Sequence, residues 1–328
     1  MKIIISILAF IILSGCTSLK HSLFDMGVGI ERSRSDLEQK SIIIDNFEWA
    51  YLESTEQTNK PVVVLLHGFG ADKDNWTRMA GFLSNFHIIA PDLPGHGDTP
   101  FIEGEQYGFD KQSLRLAKFL NELGLKRFHL VGNSMGGGIA VLYAHRHPEQ
   151  VATLSLVDAV GFYGDQPSKL EQIIEANGPN PLIVRSKADM ERLMGFTMEQ
   201  VPDLPWPATE VLADRAMARE QANDKIFKQL NQEIDVTHNA GGFRYAFEKL
   251  TMPTYVLWGE EDRVLDVSSV DKFLQYTPNV QVDILPKVGH APMLEVPEKT
   301  ADLLKDFWRL SNVTSLNAEH RLTDNNEL

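Results

Sequence analysis

A single serine flanked by glycines stands directly after an apolar run of the chain. Residues 132–136 read G-N-S-M-G and follow the strand-like residues 128–131, which matches the G-x-S-x-G pattern of a nucleophile elbow. At such an elbow a buried strand turns sharply into a helix and holds the serine in a strained backbone conformation. Glycines two residues before and after the serine remove Cβ atoms that would collide. The pattern predicts that Ser134 is a nucleophile above the sheet.

Two other glycine-rich motifs do not fit this stretch. A Walker loop needs a lysine before its serine or threonine, and residues 132–138 contain none. A dinucleotide-binding fingerprint needs a G-x-G-x-x-G spacing with an acidic residue about 20 positions later, and the glycine spacing here differs. The remaining alternative is a glycine-rich turn without a catalytic role. The choice depends on whether the partners of a catalytic serine occur elsewhere in the chain.

An activated serine needs a histidine as base and an acid that orients it. In chains with this type of elbow, the acid and then the histidine follow the serine. His290 comes after the strand-like residues 280–285 and a short turn, where such a base is expected; the alternative is an incidental surface histidine. Asp262 lies a few residues beyond the strand-like residues 254–258 and is the preferred acid. Asp158, at the end of another predicted strand, is its rival.

The oxyanion of an acyl-transfer reaction needs backbone N–H donors that already point at it. One donor is expected from the residue after the nucleophile, Met135, and the other from a loop after an earlier strand. Residues 61–66 form a β-branched and leucine run typical of a central parallel strand. They lead into H-G-F-G, where Phe69 is the predicted second donor, while His67 is interpreted as hydrogen-bonded within the loop. This chemistry requires no metal and no organic cofactor.

Predicted strands and helices alternate along most of the chain, and this alternation indicates an α/β protein with a mostly parallel sheet covered by helices on both faces. Strands are predicted at 48–53, 61–66, 86–90, 128–132, 152–157, 254–258 and 280–285. Helices are predicted at 75–84, 112–123, 136–146, 267–275 and 298–310.

Several stretches together resemble the α/β-hydrolase superfamily: H-G-F-G at 67–70, P-D-L-P-G-H-G at 91–97, the elbow, W-G through Asp262 at 258–262, and G-H at 289–290. More narrowly, residues 67–76 and the elbow resemble lipases and esterases of cold-adapted Gram-negative bacteria. The resemblance covers about residues 46–310. It implies Ser134 as nucleophile, Asp262 as acid and His290 as base, with Phe69 and Met135 as oxyanion donors. Serine at the elbow disfavours the relatives that use an aspartate nucleophile.

Residues 161–245 interrupt the alternation, with no predicted strand and with helical fragments broken by prolines. This length, about 85 residues, far exceeds an ordinary connection. The resemblance implies that it is a helical cap inserted over the serine. Some of its apolar residues could face an acyl chain, although such residues more often pack a cap onto its core; they are Leu182, Ile183, Leu193, Met194, Phe196, Met198 and Trp206.

The chain begins with Met-Lys and an 11-residue apolar stretch at 3–13. As a helix this stretch spans about 16 Å, too short for a hydrocarbon core of about 30 Å, and its length suits a signal peptide. The residues L-S-G-C at 13–16 resemble a bacterial lipobox, which implies cleavage before Cys16 and acylation there. Thr17 after the cysteine resembles lipoproteins of the Gram-negative outer membrane. The alternatives are a plain signal peptide or an uncleaved anchor. Cys16 is the only cysteine, so no intramolecular disulfide can form.

The expected organisation has six parts: a signal peptide at 1–15, a lipidated tether and N-terminal helix at 16–45, the first part of the hydrolase core at 46–160, the cap at 161–245, the second part of the core at 246–312, and a polar tail at 313–328. The formal net charge of −14 would repel a phosphate backbone and argues against nucleic acid as a partner.

These observations predict a serine carboxylic-ester hydrolase of the lipase or esterase type that forms an acyl-enzyme. Its expected partners are a small-molecule or lipid ester and, through the N-terminal lipid anchor, the membrane of the cell envelope. One alternative is a C–C bond hydrolase of ring-cleavage products, which export to the envelope disfavours because those substrates arise inside the cell. The other is a non-catalytic binding protein of the same fold, which the presence of all three triad residues disfavours.

Overall fold

A computed structural model describes the backbone of residues 2–57, 59–240, 242–278 and 280–324, and the side chains of 18–57, 59–234, 243–278 and 280–311. The strands are β1 (Leu37–Ile44), β2 (Phe47–Ser54), β3 (Val62–Leu66), β4 (His87–Pro91), β5 (Phe128–Asn133), β6 (Val151–Val157), β7 (Thr254–Gly259) and β8 (Val280–Leu285). The helices are α1 (Lys2–Arg34), α2 (Thr77–Ala80), α3 (Phe109–Glu122), α4 (Met135–Arg146), α5 (Lys169–Glu175), α6 (Lys187–Thr197), α7 (Ala208–Ala218), α8 (Glu220–Ala240), α9 (Gly242–Glu248), α10 (Ser269–Tyr276), α11 (Pro292–Glu295) and α12 (Pro297–Asp324). The 3₁₀ helix Lys73–Trp76 precedes α2.

The described residues form one eight-stranded sheet in the order β1-β2-β4-β3-β5-β6-β7-β8. Strand β2 is antiparallel to both β1 and β4, and every pairing from β4 through β8 is parallel. Parallel strands require helical crossovers, which cover the sheet on both faces. The predicted α/β class is confirmed.

Strand position in the sheet follows the sequence pattern of each strand. The apolar run of β3 lies at the centre, and its residues 63–66 are fully buried because helices cover both faces. Strand β8 lies at the edge and alternates between more and less exposed side chains over most of its length. The carboxyl ends of the parallel strands share one edge of the sheet, and the loops at that edge carry the candidate site.

The core has one apolar layer on each face of the sheet. In one layer Trp49 stacks on Phe119 of α3, with ring centroids 4.7 Å apart. In the other layer Trp308 of α12 stacks on His129, and Trp76 is fully buried beside α2. These large aromatic side chains fix α3 and α12 on opposite faces of the sheet.

The segment before the core departs from the expectation of a tether and a helix at 16–45. Helix α1 ends at Arg34, and residues 37–44 form β1, a strand that the sequence did not predict. Polar residues interrupt its apolar pattern, so the strand is stabilised by pairing with β2 along eight residues and by Lys40, which bridges Glu38 and Glu53. The predicted lipidation at Cys16 and the predicted polar tail at 313–328 involve side chains outside the described residues.

Helices α5 to α9 lie between β6 and β7, and no strand occurs in the described part of this segment. Helix α1 packs against this helical group through ion pairs that join Lys20 to Glu210 and Arg215 to Asp25. The Arg215 guanidinium also lies 4.8 Å from the ring centroid of Phe24. Among the described residues, no helix combines the length and apolarity needed to cross a membrane.

Candidate active site

Ser134 lies at the turn between β5 and α4, in the left-handed region with φ 53° and ψ −120°. A Cβ on Gly132 would lie 2.4 Å from the Gly136 carbonyl oxygen, and a Cβ on Gly136 would lie 2.4 Å from the carbonyl oxygen of Leu66. Both contacts are impossible, so the two glycines are required by the close approach of the backbone. The Ser134 carbonyl accepts hydrogen bonds from Gly137 N–H and, outside the helix, from that of Val160, which holds the strained turn in place.

His290 and Asp262 lie on the loops after β8 and β7, and the structure brings them into contact. The Nδ1 atom of His290 and the Oδ2 atom of Asp262 are 2.7 Å apart. The other oxygen of Asp262 accepts from the backbone N–H groups of Val264 at 2.7 Å and Leu265 at 3.0 Å. Because Nδ1 donates to a carboxylate, a neutral imidazole keeps its proton there and leaves Nε2 as an acceptor.

Two cavities meet at Ser134. One, of about 310 Å³, is lined by Ser134, His290 and residues of α1 and of the helical segment 161–245, including Phe24 and Arg215. The other, of about 480 Å³, is lined by Ser134, both predicted oxyanion donors and mainly apolar side chains. A reactant bound at the serine can therefore extend in two directions.

The predicted oxyanion donors flank the serine on two elements. Met135 is the first residue of α4, where a backbone N–H has no acceptor within its own helix. Phe69 lies on the loop after β3, with its ring edge-to-face against His96 and tilted against Phe227. Both residues line the larger cavity together with Ser134.

His67 is used within the protein, as interpreted from the sequence. It is fully buried, its Nδ1 lies 2.7 Å from the Gly68 carbonyl, and its Nε2 accepts from Leu93 N–H at 3.0 Å. Burial lowers the pKa of His67 to about 4, so its ring is neutral at pH 7. With both nitrogens occupied, His67 shapes the loop that carries Phe69.

Asp158, the rival acid, lies next to the triad candidates but does not bond His290. It is fully buried at the end of β6, and its Oδ1 accepts from Gly259 N–H at 2.8 Å. Burial and then the negative charge of Asp262 raise the pKa of Asp158 well above its usual range. Oxygen atoms of both carboxyl groups and a ring nitrogen of His290 lie within 4.8 Å of one another. Among the described residues this is the one group that could hold a metal ion, although the bond between His290 and Asp262 already uses one donor of each.

Glu295 was not identified from the sequence, where it is an ordinary acidic residue of a four-residue helix, α11. Its carboxylate accepts from the N–H groups of Gly289 and Ala291, on either side of His290. It also accepts from Glu199 and Gln200 N–H of the cap, each at 2.8 Å. One half-buried carboxylate thus joins the histidine loop to the helical segment 161–245, and only the three-dimensional structure reveals it.

The apolar residues of 161–245 that the sequence singles out have different environments. Leu182 lines both cavities, and Leu193, Met194 and Met198 line the smaller one. Ile183 is fully buried, Phe196 is half-buried, and Trp206 is 64% exposed, so Trp206 neither faces an acyl chain nor packs on the core.

A mostly parallel sheet that carries a strained serine at the C-terminal edge of a central strand, with an acid and a histidine on later strands, defines the α/β class of serine hydrolases. The chain belongs to the alpha/beta hydrolase fold family, whose family model matches residues 61–297.

Among curated proteins, the chain is similar to Lipase 3 of Moraxella sp. (strain TA144), with 35% identity over 89% of this chain and 93% of that protein. It is 34% identical to Lipase 1 of Psychrobacter immobilis over 89% of this chain and 92% of that one. Among solved structures, one described as a membrane phospholipase A and a bacterial virulence factor is similar with a TM-score of 0.85 and 38% identity, over 95% of this chain and 99% of that one. The predicted resemblance and the predicted enzyme class, a serine ester hydrolase, are confirmed.

Proposed function

We propose that this ester hydrolase cleaves lipid-like carboxylic esters with Ser134 as nucleophile, His290 as base and Asp262 as the acid that orients the base. The observation that carries the proposal is the 2.7 Å contact between His290 Nδ1 and Asp262. It leaves Nε2 of a histidine that lines the same cavity as Ser134 available to accept a proton.

The reaction follows from these roles. The Ser134 hydroxyl oxygen attacks the ester carbonyl while its proton passes to His290 Nε2, and the oxyanion accepts hydrogen bonds from the N–H groups of Phe69 and Met135. The tetrahedral intermediate loses the alcohol, which takes its proton from His290, and an acyl-enzyme remains. Water then attacks the acyl carbon, gives its proton to His290, and the acid leaves as Ser134 regains its proton.

The two cavities suggest how the substrate is oriented. His290 lines only the smaller cavity, and because it protonates the leaving oxygen, the alcohol part must lie on that side. The larger cavity, lined mainly by apolar side chains, then receives the acyl chain. The alcohol side also has a mainly apolar lining, and it is bordered by ionisable groups of α1, of the loop and short helices after β3, and of α7, namely Glu31, Asp72, Asp74, Arg78 and Arg215.

The nucleophile is tested by replacing Ser134 with alanine. We expect Ser134→Ala to abolish hydrolysis of p-nitrophenyl esters from acetate to palmitate and to keep a melting temperature close to that of the unmodified protein. Ser41→Ala, on an exposed position of β1, serves as the control. Full turnover in Ser134→Ala would remove the proposed mechanism.

The orientation of the substrate is tested by narrowing each cavity separately. Ile174 of α5 lines only the larger cavity, and Leu212 of α7 lines only the smaller one. We expect Ile174→Trp to lower kcat/KM for palmitate at least tenfold against acetate, and Leu212→Trp to discriminate instead among acetate esters of alcohols of increasing size. If the two variants exchange these effects, the orientation is reversed.

We also propose that the protein is anchored at the cell envelope, in the outer membrane of a Gram-negative bacterium, by acylation of Cys16 after removal of residues 1–15. The apolar stretch and the lipobox-like residues support this, as does similarity to a structure described as a membrane phospholipase. One face of α1 also exposes a row of large apolar side chains with helical spacing, Leu19, Leu23, Met26 and Ile30. Cys16→Ser is expected to lose the incorporation of labelled fatty acid and to leave the membrane fraction.

The proposed division of the rest of the chain is a hydrolase core at 46–160 and 246–312 with a cap at 161–245. The support is the order of elements, because the described residues between β6 and β7 form five helices while the two strands still pair side by side.

A further inference from the structure

Only one of the two carboxyl oxygens of Asp158 has a hydrogen-bond partner among the described residues. The residue is fully buried, and its left-handed backbone, with φ 44°, turns the chain at the end of β6 beside Ser134 and the end of β7. Its Oδ1 accepts from Gly259 N–H, whereas its Oδ2 has no hydrogen-bond partner among the described residues. A buried ionised carboxylate without such partners is strongly unfavourable.

The neighbour of this group is another carboxyl group. Oxygens of Asp158 and Asp262 lie within 4.8 Å of each other and of a His290 nitrogen. Two carboxylates this close in a buried site do not both ionise, so one of them holds a proton. Asp262 accepts three hydrogen bonds, from Val264, Leu265 and His290, and Asp158 accepts one. Hydrogen bonds therefore stabilise a negative charge better on Asp262 than on Asp158, so Asp158 holds the proton.

We propose that Asp158 is a neutral carboxylic acid whose Oδ2–H donates a hydrogen bond to the carboxylate of Asp262 and so positions that carboxylate against His290. The inference rests on the proposed triad. Asp158 acts through Asp262 and touches no reacting atom, which makes it a positioning residue. With Asp158 neutral, a single negative charge faces the imidazolium that forms during the reaction, and that charge is held by four donors instead of three.

The charged groups that bear on Asp158 come from three loops or helices. Asp262 belongs to the loop after β7, His290 to the loop after β8, and Glu295 to α11. Both carboxylates favour the protonated form of Asp158, and burial favours it too, so its pKa stays well above the usual aspartate range. A positively charged His290 acts in the opposite direction.

Replacement of Asp158 by asparagine distinguishes a neutral from an ionised carboxyl group. The amide keeps the shape, an acceptor and a donor, but it cannot ionise. We expect Asp158→Asn to fold, to keep kcat within about threefold, and to leave the acidic limb of the pH profile of kcat/KM in place within about 0.3 pH units. If Asp158 were ionised, loss of its charge would move that limb to lower pH by about one unit or more. Such a shift would overturn the proposal.

Leucine removes the donor and keeps approximate shape. We expect Asp158→Leu to lower kcat about 10- to 100-fold and to move the acidic limb to higher pH, because Asp262 without its fourth donor holds the imidazolium more tightly. Asp283→Asn, on β8 and bonded to Tyr255, is the control and should match the unmodified enzyme in both measurements. An Asp158→Leu profile identical to that of the control would contradict the positioning role.

A spectroscopic measurement tests the protonation of Asp158 apart from activity. The infrared spectrum at pH 8 should contain the carbonyl stretch of an un-ionised carboxyl group that the spectrum of Asp158→Asn lacks, which separates Asp158 from other buried carboxyl groups such as Asp72 and Asp92. Absence of this band at pH 8 would overturn the proposal even if the triad is correct. Conversely, if Ser134→Ala stays active while the band is present, the proposed triad fails and the neutral Asp158 stands.

Discussion

The two oxygens of Asp262 have different partners. This difference determines the effect of Asp262→Asn, in which an NH₂ group replaces one oxygen. One oxygen accepts two backbone N–H groups, which an amide nitrogen cannot do, and the other faces His290 Nδ1. An asparagine at this position must therefore keep its oxygen on the backbone and turn its NH₂ group toward the imidazole. The ring then has to accept at Nδ1 and carry its proton on Nε2.

We expect Asp262→Asn to lower kcat by about 10³- to 10⁴-fold at pH 7, because a histidine with its proton on Nε2 cannot take one from Ser134. KM and the melting temperature should change little, since the shape and two hydrogen bonds are kept. Steady-state kinetics with a short p-nitrophenyl ester measures the effect. A loss of less than tenfold would mean that another group orients His290.

Residues with local signals could be predicted, and residues whose role depends on neighbouring strands could not. The sequence predicts Ser134 because the turn needs glycine on both sides, and it predicts His290 and Asp262 because each follows a predicted strand at the expected place. Asp158 was weighed only as a rival acid. Its contact with Asp262 depends on β6 and β7 being adjacent, which no local pattern states.

At the scale of elements, Glu295 fixes the histidine loop relative to the cap. Its carboxylate accepts hydrogen bonds from the N–H groups on both sides of His290 and from two N–H groups just after α6. In addition, the Thr197 carbonyl accepts a hydrogen bond from His290 N–H at 2.7 Å. The position of His290 and the position of the segment after α6 are therefore coupled through backbone hydrogen bonds.

We expect Glu295→Ala to lower kcat about tenfold or more and to destabilise the fold by about 1–3 kcal/mol, because the N–H groups of the buried residues Gly289 and Ala291 lose their acceptor. Glu298→Ala, in the exposed first turn of α12, is the matched control and should have neither effect. Kinetics and thermal unfolding distinguish the outcomes. Equal behaviour of the two variants would show that Glu295 does not hold the histidine loop.

A buried ion pair joins the loops after β3 and β4. Lys73 Nζ lies 2.7 Å from Asp92 Oδ2 and 2.7 Å from Asp98, and Lys73 and Asp92 are almost fully buried. Removing one partner leaves a buried charge unpaired, so we expect Lys73→Met to destabilise the protein by about 3–5 kcal/mol in urea unfolding. The double variant Lys73→Met, Asp92→Asn should recover part of the loss. A double variant less stable than Lys73→Met would contradict this account.

The predicted secondary structure differs from the structure where pairing with another strand overrides a weak local pattern. The central strand β3 carries an uninterrupted apolar run and β5 a mostly apolar one, and both agree with the predicted ranges within a residue or two. The helical nature of 161–245 is readable from its prolines and its lack of predicted strands. Strand β1 has L-E-Q-K-S-I-I-I, in which three adjacent isoleucines follow polar residues, so its strand conformation depends on β2.

At the scale of the whole molecule, several histidines enter the fold as neutral groups. Burial lowers the pKa of His67 and of His129 to about 4 each, and burial lowers the pKa of His96 well below its usual value. The unfolded chain takes up protons at these sites near pH 6.5, whereas the folded chain takes them up only near pH 4 at His67 and His129, and well below pH 6.5 at His96. The stability that they contribute is complete above pH 6.5 and is lost as the pH falls toward 4.

His129 isolates this effect because it lies away from the candidate site, bonded to Thr153 and stacked on Trp308. A histidine with this lowered pKa makes the free energy of unfolding about 2 kcal/mol smaller at pH 5 than at pH 8, and glutamine cannot take up the proton. We therefore expect His129→Gln to have a smaller free energy of unfolding than the unmodified protein at pH 8, because packing is lost. At pH 5 this gap between the two proteins should be about 2 kcal/mol smaller. Urea unfolding of both proteins at the two pH values measures the gap. Because every other titrating group is shared, a gap of the same size at both pH values would mean that His129 is not a neutral group held by burial.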